Sequence, residues 1–149
     1  MKTLFIGTYN HTVDAKGRVS MPAKFRSGEE GESFYVTRGL DGCLFVYSEE
    51  EWTKFFDKLS ELPSTTNRMA RDVLRYFTAN VHECDVDKLG RINIPQNLRD
   101  MAGLVKDVTI IGARNRMEIW DAATWETYQT EQISEEMVLE SMDSLGMQF

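Results

Sequence analysis

The sequence predicts an α+β fold made of two copies of one unit, set about a pseudo-two-fold axis. Three observations predict it. The chain repeats itself at an offset of 73 residues. Short stretches in each copy alternate apolar and polar residues at the strand period, and helical stretches close each copy. Two units are too few for a solenoid, so the copies are expected to cover each other's apolar surfaces.

The repeat is read residue by residue. Val13 falls on Val86, Asp14 on Asp87, Gly17 on Gly90, Arg18 on Arg91, Pro22 on Pro95 and Arg26 on Arg99. Without a gap, Gly39 then falls on Gly112, Tyr47 on Trp120 and Trp52 on Trp125.

The elements follow in order. Thr8–Val13 and Val81–Val86 are predicted strands, each ending near an Asp. Asp14-Ala15-Lys16-Gly17 and Asp87-Lys88-Leu89-Gly90 are predicted turns. Asp can accept from the backbone two residues on, and Gly tolerates positive φ. Strands Arg18–Met21 and Arg91–Ile94 complete two hairpins, with Val19, Met21, Ile92 and Ile94 on one face and the arginines on the other. Pro22 and Pro95 suit the first position of a short helix. Gly28 and Gly103 suit its stop. Ser33–Arg38 with Cys43–Tyr47, and Val108–Gly112 with Arg116–Trp120, are further strand pairs joined by turn-like links at 40–42 and 113–115. Helices carrying Trp52 and Trp125 close the copies.

Between the copies, EEEWTKFFDKLSEL and STTNRMARDVLRYFT read as helices separated at Pro63. Met69, Val73, Leu74, Tyr76 and Phe77 are the predicted apolar stripe of the second. Arg68, Arg71 and Arg75 form a basic ridge beside it. One long acidic helix is expected from Ala122 to about Leu145. The domain reading is therefore repeat 1 at 8–54, a helical connector at 55–80, repeat 2 at 81–126 and an acidic tail at 127–149.

Composition excludes several classes. The 149 residues are 42% hydrophobic and 28% charged, ordinary values for a chain with a real core. No apolar run approaches the roughly 20 residues that span a bilayer, and the leading MKTLFIG is too short for a signal-peptide core. Two cysteines, Cys43 and Cys84, give no disulfide framework and read as reduced, buried thiols in the cytoplasm. Joined with His11 and His82 they match no usual zinc spacing. No P-loop, Gly-x-Ser-x-Gly or His-Glu-x-x-His occurs, so no enzyme, cofactor, metal or small-molecule ligand is expected.

Charge points to a partner instead. The net charge of -7 argues against binding nucleic acid over the whole surface. Yet Lys16, Arg18, Lys24 and Arg26 crowd into residues 13–26 against Asp14 alone. Fields act over about 8–10 Å, so a local basic face survives an acidic total.

The doubled Asp-x-x-Gly-Arg, the Pro four residues after each Arg, the opening FIGTYNHTVDAKGR and the later EIWDAATW together resemble the MraZ family of bacterial transcriptional regulators. That family carries two SpoVT-AbrB-type units in one chain, and the resemblance spans nearly all of this one. It implies a swapped-hairpin β-barrel with peripheral helices. It also implies a ring-shaped homo-oligomer that binds tandem repeats in double-stranded promoter DNA, upstream of the division and cell-wall gene cluster. The Asp-x-x-Gly-Arg loop is the family's DNA-contacting element.

On this reading Lys16, Gly17, Arg18, Lys24 and Arg26 bind DNA, and Asp14 orients the loop. Arg18 offers a planar fork for phosphate or a guanine edge; its plainer role is an ion pair with Asp14. Gly17 allows close approach. The second copy, Asp87, Lys88, Gly90 and Arg91, is expected to be the weaker reader. Leu89 stands there in place of Lys16, and Glu83, Asp85 and Asp87 offset Lys88, Arg91 and Arg99. Arg91 is expected to pair across the barrel or at a subunit contact. Arg68, Arg71 and Arg75 are a solvated face or a contact to a neighbouring chain's acids, and Trp52 and Trp125 are core. The expected function is a DNA-binding regulator, with repression the expected sign, in the cytoplasm and nucleoid. The alternative is an antitoxin-like or scaffolding protein-interaction module.

Overall fold

The computed structural model describes residues 4–148; residues 1–3 of the MKTLFIG stretch and residue 149 lie outside the described residues. The strands are β1 Phe5–Thr12, β2 Arg18–Ser20, β3 Ser33–Arg38, β4 Leu44–Ser48, β5 His82–Asp85, β6 Arg91–Asn93, β7 Asp107–Arg114 and β8 Met117–Asp121. The helices are α1 Glu49–Ser60, α2 Arg68–Thr78, α3 Gln96–Met101, α4 Ala122–Gln132 and α5 Glu135–Ser144, and a 3-10 turn spans Ala23–Phe25. The α+β class is as the sequence predicts.

Six strands form one antiparallel sheet in the order β1-β7-β8-β4-β3-β5, and β2 pairs with β6 in a separate ribbon. Both carry the repeat's symmetry. At the sheet centre Leu44 pairs with Ile119 and Val46 with Met117, about Phe45 opposite Glu118. In the ribbon Arg18 pairs with Asn93 and Ser20 with Arg91, about Val19 opposite Ile92. Each central pair is separated by the repeat's own offset, so one pseudo-two-fold axis crosses both layers.

The copies exchange strands. β1 of the first copy pairs along its length with β7 of the second. β5 of the second pairs with β3 of the first. This corrects the simple hairpins read from the sequence: β1 meets β2 only at the Val13–Val19 bridge, because β2 gives its hydrogen bonds to β6. Among the described residues the backbone ladder does not close into a continuous barrel.

The exchange follows from what each copy must bury. Val19, Met21, Ile92 and Ile94 line the inner face of the ribbon and pack on Val36, Leu44, Val46, Val108, Ile110, Met117 and Ile119 of the sheet. Each such side chain contributes about 1.5–3 kcal/mol on burial. The far side of the sheet is covered by helices. Trp52, Leu59 and Phe77 from α1 and α2 meet Phe45, Tyr47 and Trp120 there, with Trp125 and Tyr128 of α4 packed at the edge.

Capping explains where helices depart from their predicted ends. Asn67 Oδ1 accepts from the Ala70 N–H at 3.2 Å, so α2 begins after Asn67 rather than at Ser64. Its buried stripe is Ala70 and Phe77 with Leu74 and Tyr76 partly covered, whereas Met69 and Val73 are exposed, contrary to the predicted stripe. The single acidic helix is in fact two. Ser134 Oγ accepts from the Met137 N–H at 3.3 Å and starts α5 afresh. Pro22 and Pro95 precede their helical turns as caps rather than opening them. Gly103 stops α3 as expected: its N–H reaches Asp100 O and the Leu104 N–H reaches Arg99 O. Gly28 lies beyond the 3-10 turn, which closes at Arg26 on Ala23 O. No helix among the described residues is long and apolar enough to cross a membrane.

Candidate nucleic-acid interface

Each Asp-x-x-Gly-Arg segment folds into the same turn. In the first, the Gly17 N–H donates to Asp14 O at 3.0 Å, and the Asp14 N–H donates to Arg18 O at 3.0 Å. Asp14 Oδ1 accepts from the Lys16 and Arg18 amides, both at 2.9 Å. Its Oδ2 accepts from Arg18 Nε at 2.7 Å. The second turn copies every bond: the Gly90 N–H donates to Asp87 O, the Asp87 N–H to Arg91 O, and the Leu89 and Arg91 amides to Asp87 Oδ1. Arg91 Nε donates to Asp87 Oδ2 at 2.9 Å. Arg91 thus pairs within its own turn, with Asp87, rather than with a residue of the other copy.

This pairing orients the arginines. The bond to aspartate uses the side-on Nε, and among the described residues no hydrogen bond occupies the terminal nitrogens of Arg18 or Arg91. The fork that recognises phosphate or a guanine edge is left available. The two side chains are 35% and 27% exposed, enough to be reached yet held by their aspartates.

The aspartates are charged at any physiological pH. The Arg18 amide, helped by the Arg18 guanidinium and the Lys16 amide, holds the Asp14 carboxyl down to about 2. The Arg91 amide leads the same downward shift at Asp87. Asp14 and Asp87 therefore act as fixed acceptors that shape their loops.

The turns stand at opposite ends of the ribbon. Gly17 O accepts from the Ile94 N–H at 2.8 Å, and Gly90 O accepts from the Met21 N–H at 2.9 Å. Four residues of strand separate those ends, about 13 Å at the usual rise. Both glycines are buried with positive φ, +90° and +80°.

Not every predicted site residue gathers where the sequence suggests. Lys16 is exposed at the first turn, and Lys88 and Leu89 at the second, Leu89 with 71% of its surface open. Lys24 is exposed on the 3-10 turn. Arg26 does not join Lys16 and Arg18. Its Nε donates to Met21 O at 3.1 Å, and its guanidinium lies against Gly90 of the other copy. Its counterpart Arg99, which the sequence reading left out of the site, donates to Ile94 O at 2.9 Å and lies against Gly17. The signal for Arg99 was its registration with Arg26 at the repeat offset; its distance from the first turn along the chain hid it.

The remaining candidates find partners or packing within the chain. Arg68 and Arg75 both pair with Asp72 of their own helix, and Arg71 donates to Ser64 O. Cys43 and Cys84 lie in separate cores, and burial pushes their thiols up to about 12 and about 11. Trp52 is buried and Trp125 packs on Trp120 with ring centroids 5.1 Å apart.

The family described as "MraZ protein, putative antitoxin-like" matches this chain twice, over residues 4–76 and 77–144. The "Transcriptional regulator MraZ" of Acetivibrio thermocellus is 52% identical over 145 residues, covering 97% of this chain and all of that protein. The protein of the same name from Thermoanaerobacter pseudethanolicus is 50% identical over 145 residues with the same coverage. That of Lachnoclostridium phytofermentans is 47% identical over 146 residues, covering 98% of this chain and all of that protein. With two matched units, paired turns and full-length relatives at about half identity, the chain belongs to the MraZ family.

Proposed function

We propose that this protein is a sequence-specific, DNA-binding transcriptional regulator. The observation that carries it is the pair of Asp-x-x-Gly-Arg turns, whose arginine forks are oriented by aspartate and left open at the ends of one ribbon. The names of its relatives fit that reading. The ribbon and sheet would form the family's swapped-hairpin barrel, its wall completed by side-chain packing where backbone pairing stops.

One chain carries too few cations to bind promoter DNA alone. A ring of copies sets several turns side by side. Tandem sites about one helical turn apart, 10–10.5 base pairs, would then present themselves on one side of the duplex. Linked contacts gain through effective concentration, which offsets the acidic total charge. With three or four chains each neutralising two or three phosphates, the salt slope is on the order of -5 to -10. Occupancy of a promoter hinders polymerase, so repression of the division and cell-wall cluster is the expected outcome, in the cytoplasm at the nucleoid.

The test is salt-dependent binding of the full-length chain to tandem-repeat promoter DNA, beside Arg18→Ala. Unchanged affinity in the variant rejects the first turn as a contact. A second reading rests on α5, which buries none of its residues and exposes Met137, Val138 and Leu139 among acids. Such a helix suits a protein partner. Removing the residues after 130 separates the readings: partner binding is lost and DNA binding stays.

A further inference from the structure

Each turn is backed by an arginine from the other copy. A Cβ built on Gly17 would stand 2.8 Å from Arg99 Nε and 2.9 Å from its Cζ. A Cβ on Gly90 would stand 2.5 Å from Arg26 Nη1 and 2.6 Å from its Cζ. Neither arginine is near its turn in sequence; both reach it because β2 and β6 pair across the copies. Each fixes itself by donating Nε–H to the carbonyl at the end of its own strand, Ile94 O or Met21 O. The amide of that same residue donates to the glycine carbonyl of the turn.

We propose that Arg99 and Arg26 are positioning residues, each holding the DNA-contacting turn of the opposite copy. The proposal rests on the DNA-binding reading above. Aspartate organises the outer side of each turn. Its inner side is a glycine at positive φ, a backbone shape that is freely lost without backing. The planar guanidinium supplies that backing and the fixed Nε–H bond together. A lysine carries the same charge but cannot offer both a plane and a directed second donor. Arg99 therefore sets the direction of Arg18, and Arg26 sets that of Arg91.

Double-mutant cycles on the assembled full-length protein test this against tandem-repeat duplex. Arg99→Lys keeps the charge yet weakens binding, about five- to ten-fold. Added to Arg18→Ala it costs no more than about two-fold further, because the side chain it positions is already gone. Added to Arg91→Ala its effect multiplies in full. Arg26→Lys shows the mirror image: it is redundant with Arg91→Ala and independent of Arg18→Ala, its neighbour in sequence. Lysine variants that bind like wild type overturn the proposal, since charge alone then suffices. Equal losses in both cycles also overturn it, since that is general destabilisation.

Hydrogen exchange supplies a readout without DNA. Arg99→Lys speeds exchange at 14–18 and leaves 87–91 unchanged; Arg26→Lys does the reverse. If Arg18→Ala and Arg91→Ala leave affinity intact, the DNA reading fails, and exchange alone decides positioning. Faster exchange within the variant's own copy, or none, overturns it.

Discussion

The turns at 14–18 and 87–91 are the same object made from different letters. Their hydrogen bonds agree one for one, but the first carries Ala15 and Lys16 where the second carries Lys88 and Leu89. Over residues 13–26 the first stretch is strongly basic and over 83–99 the second is nearly neutral, yet the turns themselves carry one aspartate and two cations each. Arg26 leaves the first turn for the second, and Arg99 moves the other way. Each turn then holds one aspartate and three cations: Asp14 with Lys16, Arg18 and Arg99, and Asp87 with Lys88, Arg91 and Arg26. A loop's field comes from what packs beside it, and in a strand-exchanged fold that is the other copy.

The largest expected break in this equality is at the glycines. Both have positive φ, so alanine at either is strained by about 1–2 kcal/mol. Gly17 faces more than a flexible side chain: an added Cβ would stand 2.7 Å from the Ile94 carbonyl oxygen. The closest contacts at Gly90 are all to the Arg26 guanidinium, with no backbone atom among them. Gly17→Ala is expected to cost about 2–3 kcal/mol and Gly90→Ala about 1–2 kcal/mol. Urea unfolding at one fixed protein concentration checks the order, so that any dependence of stability on assembly is held constant. A larger loss at Gly90 would contradict the inequality.

Next come the arginine forks. Arg18→Ala and Arg91→Ala should each weaken binding to tandem-repeat DNA about ten-fold, within about three-fold of one another, and flatten the salt slope. The charge count along the chain predicts that most of the affinity is lost at Arg18 and the smaller part at Arg91. Titrations at three salt concentrations discriminate between the counts. A ratio above about ten would restore the first turn as the main reader.

Leu89 should sharpen the comparison by a smaller amount. It is an open apolar side chain at the tip of a basic turn. Leu89→Lys should raise DNA affinity a few-fold and leave unfolding within about 0.5 kcal/mol of wild type. A drop in affinity would mean that Leu89 itself makes a contact.

Much of this was legible in the sequence, for stated reasons. The repeat offset fixed both turns and the axis, since the same 73 residues separate Val19 from Ile92 and Phe45 from Glu118. Alternation identified Val19, Met21, Ile92 and Ile94 as an inner face. Period two says which face a strand buries but not which strand lies beside it, so the pairing of β2 with β6 stayed hidden. With it went the places of Arg26 and Arg99. Helical periodicity likewise placed Met69 and Val73 on one stripe with Phe77, but the covered arc is centred on Ala70, Leu74 and Phe77. The acidic stretch reads as one helix because the local cap at Ser134 competes only weakly in sequence terms with the helical residues around it.

The smallest effect is the acid titration, and it tests whether the two turns share one cause. The Asp14 and Asp87 carboxyls both sit below their ordinary 3.8, Asp14 near about 2. A carboxylate depressed in the folded state adds to stability above its unfolded value, and that contribution is lost as pH falls through the folded value. The first turn should therefore hold its order down to about pH 4 and loosen between there and about pH 2, and the second should likewise loosen only below the ordinary carboxylate range. In both, the leading cause is a backbone amide, of Arg18 or of Arg91, ahead of the guanidinium. Arg18→Ala keeps that amide, so Asp14 should stay well below 3.8 in the variant while DNA binding falls. Carboxyl carbon shifts followed toward the acid limit give the answer. A midpoint returning to 3.8 in Arg18→Ala would make the guanidinium the organiser of the loop. A midpoint that stays low separates the two jobs: backbone amides shape the turn, and the arginine they hold is spent on the partner.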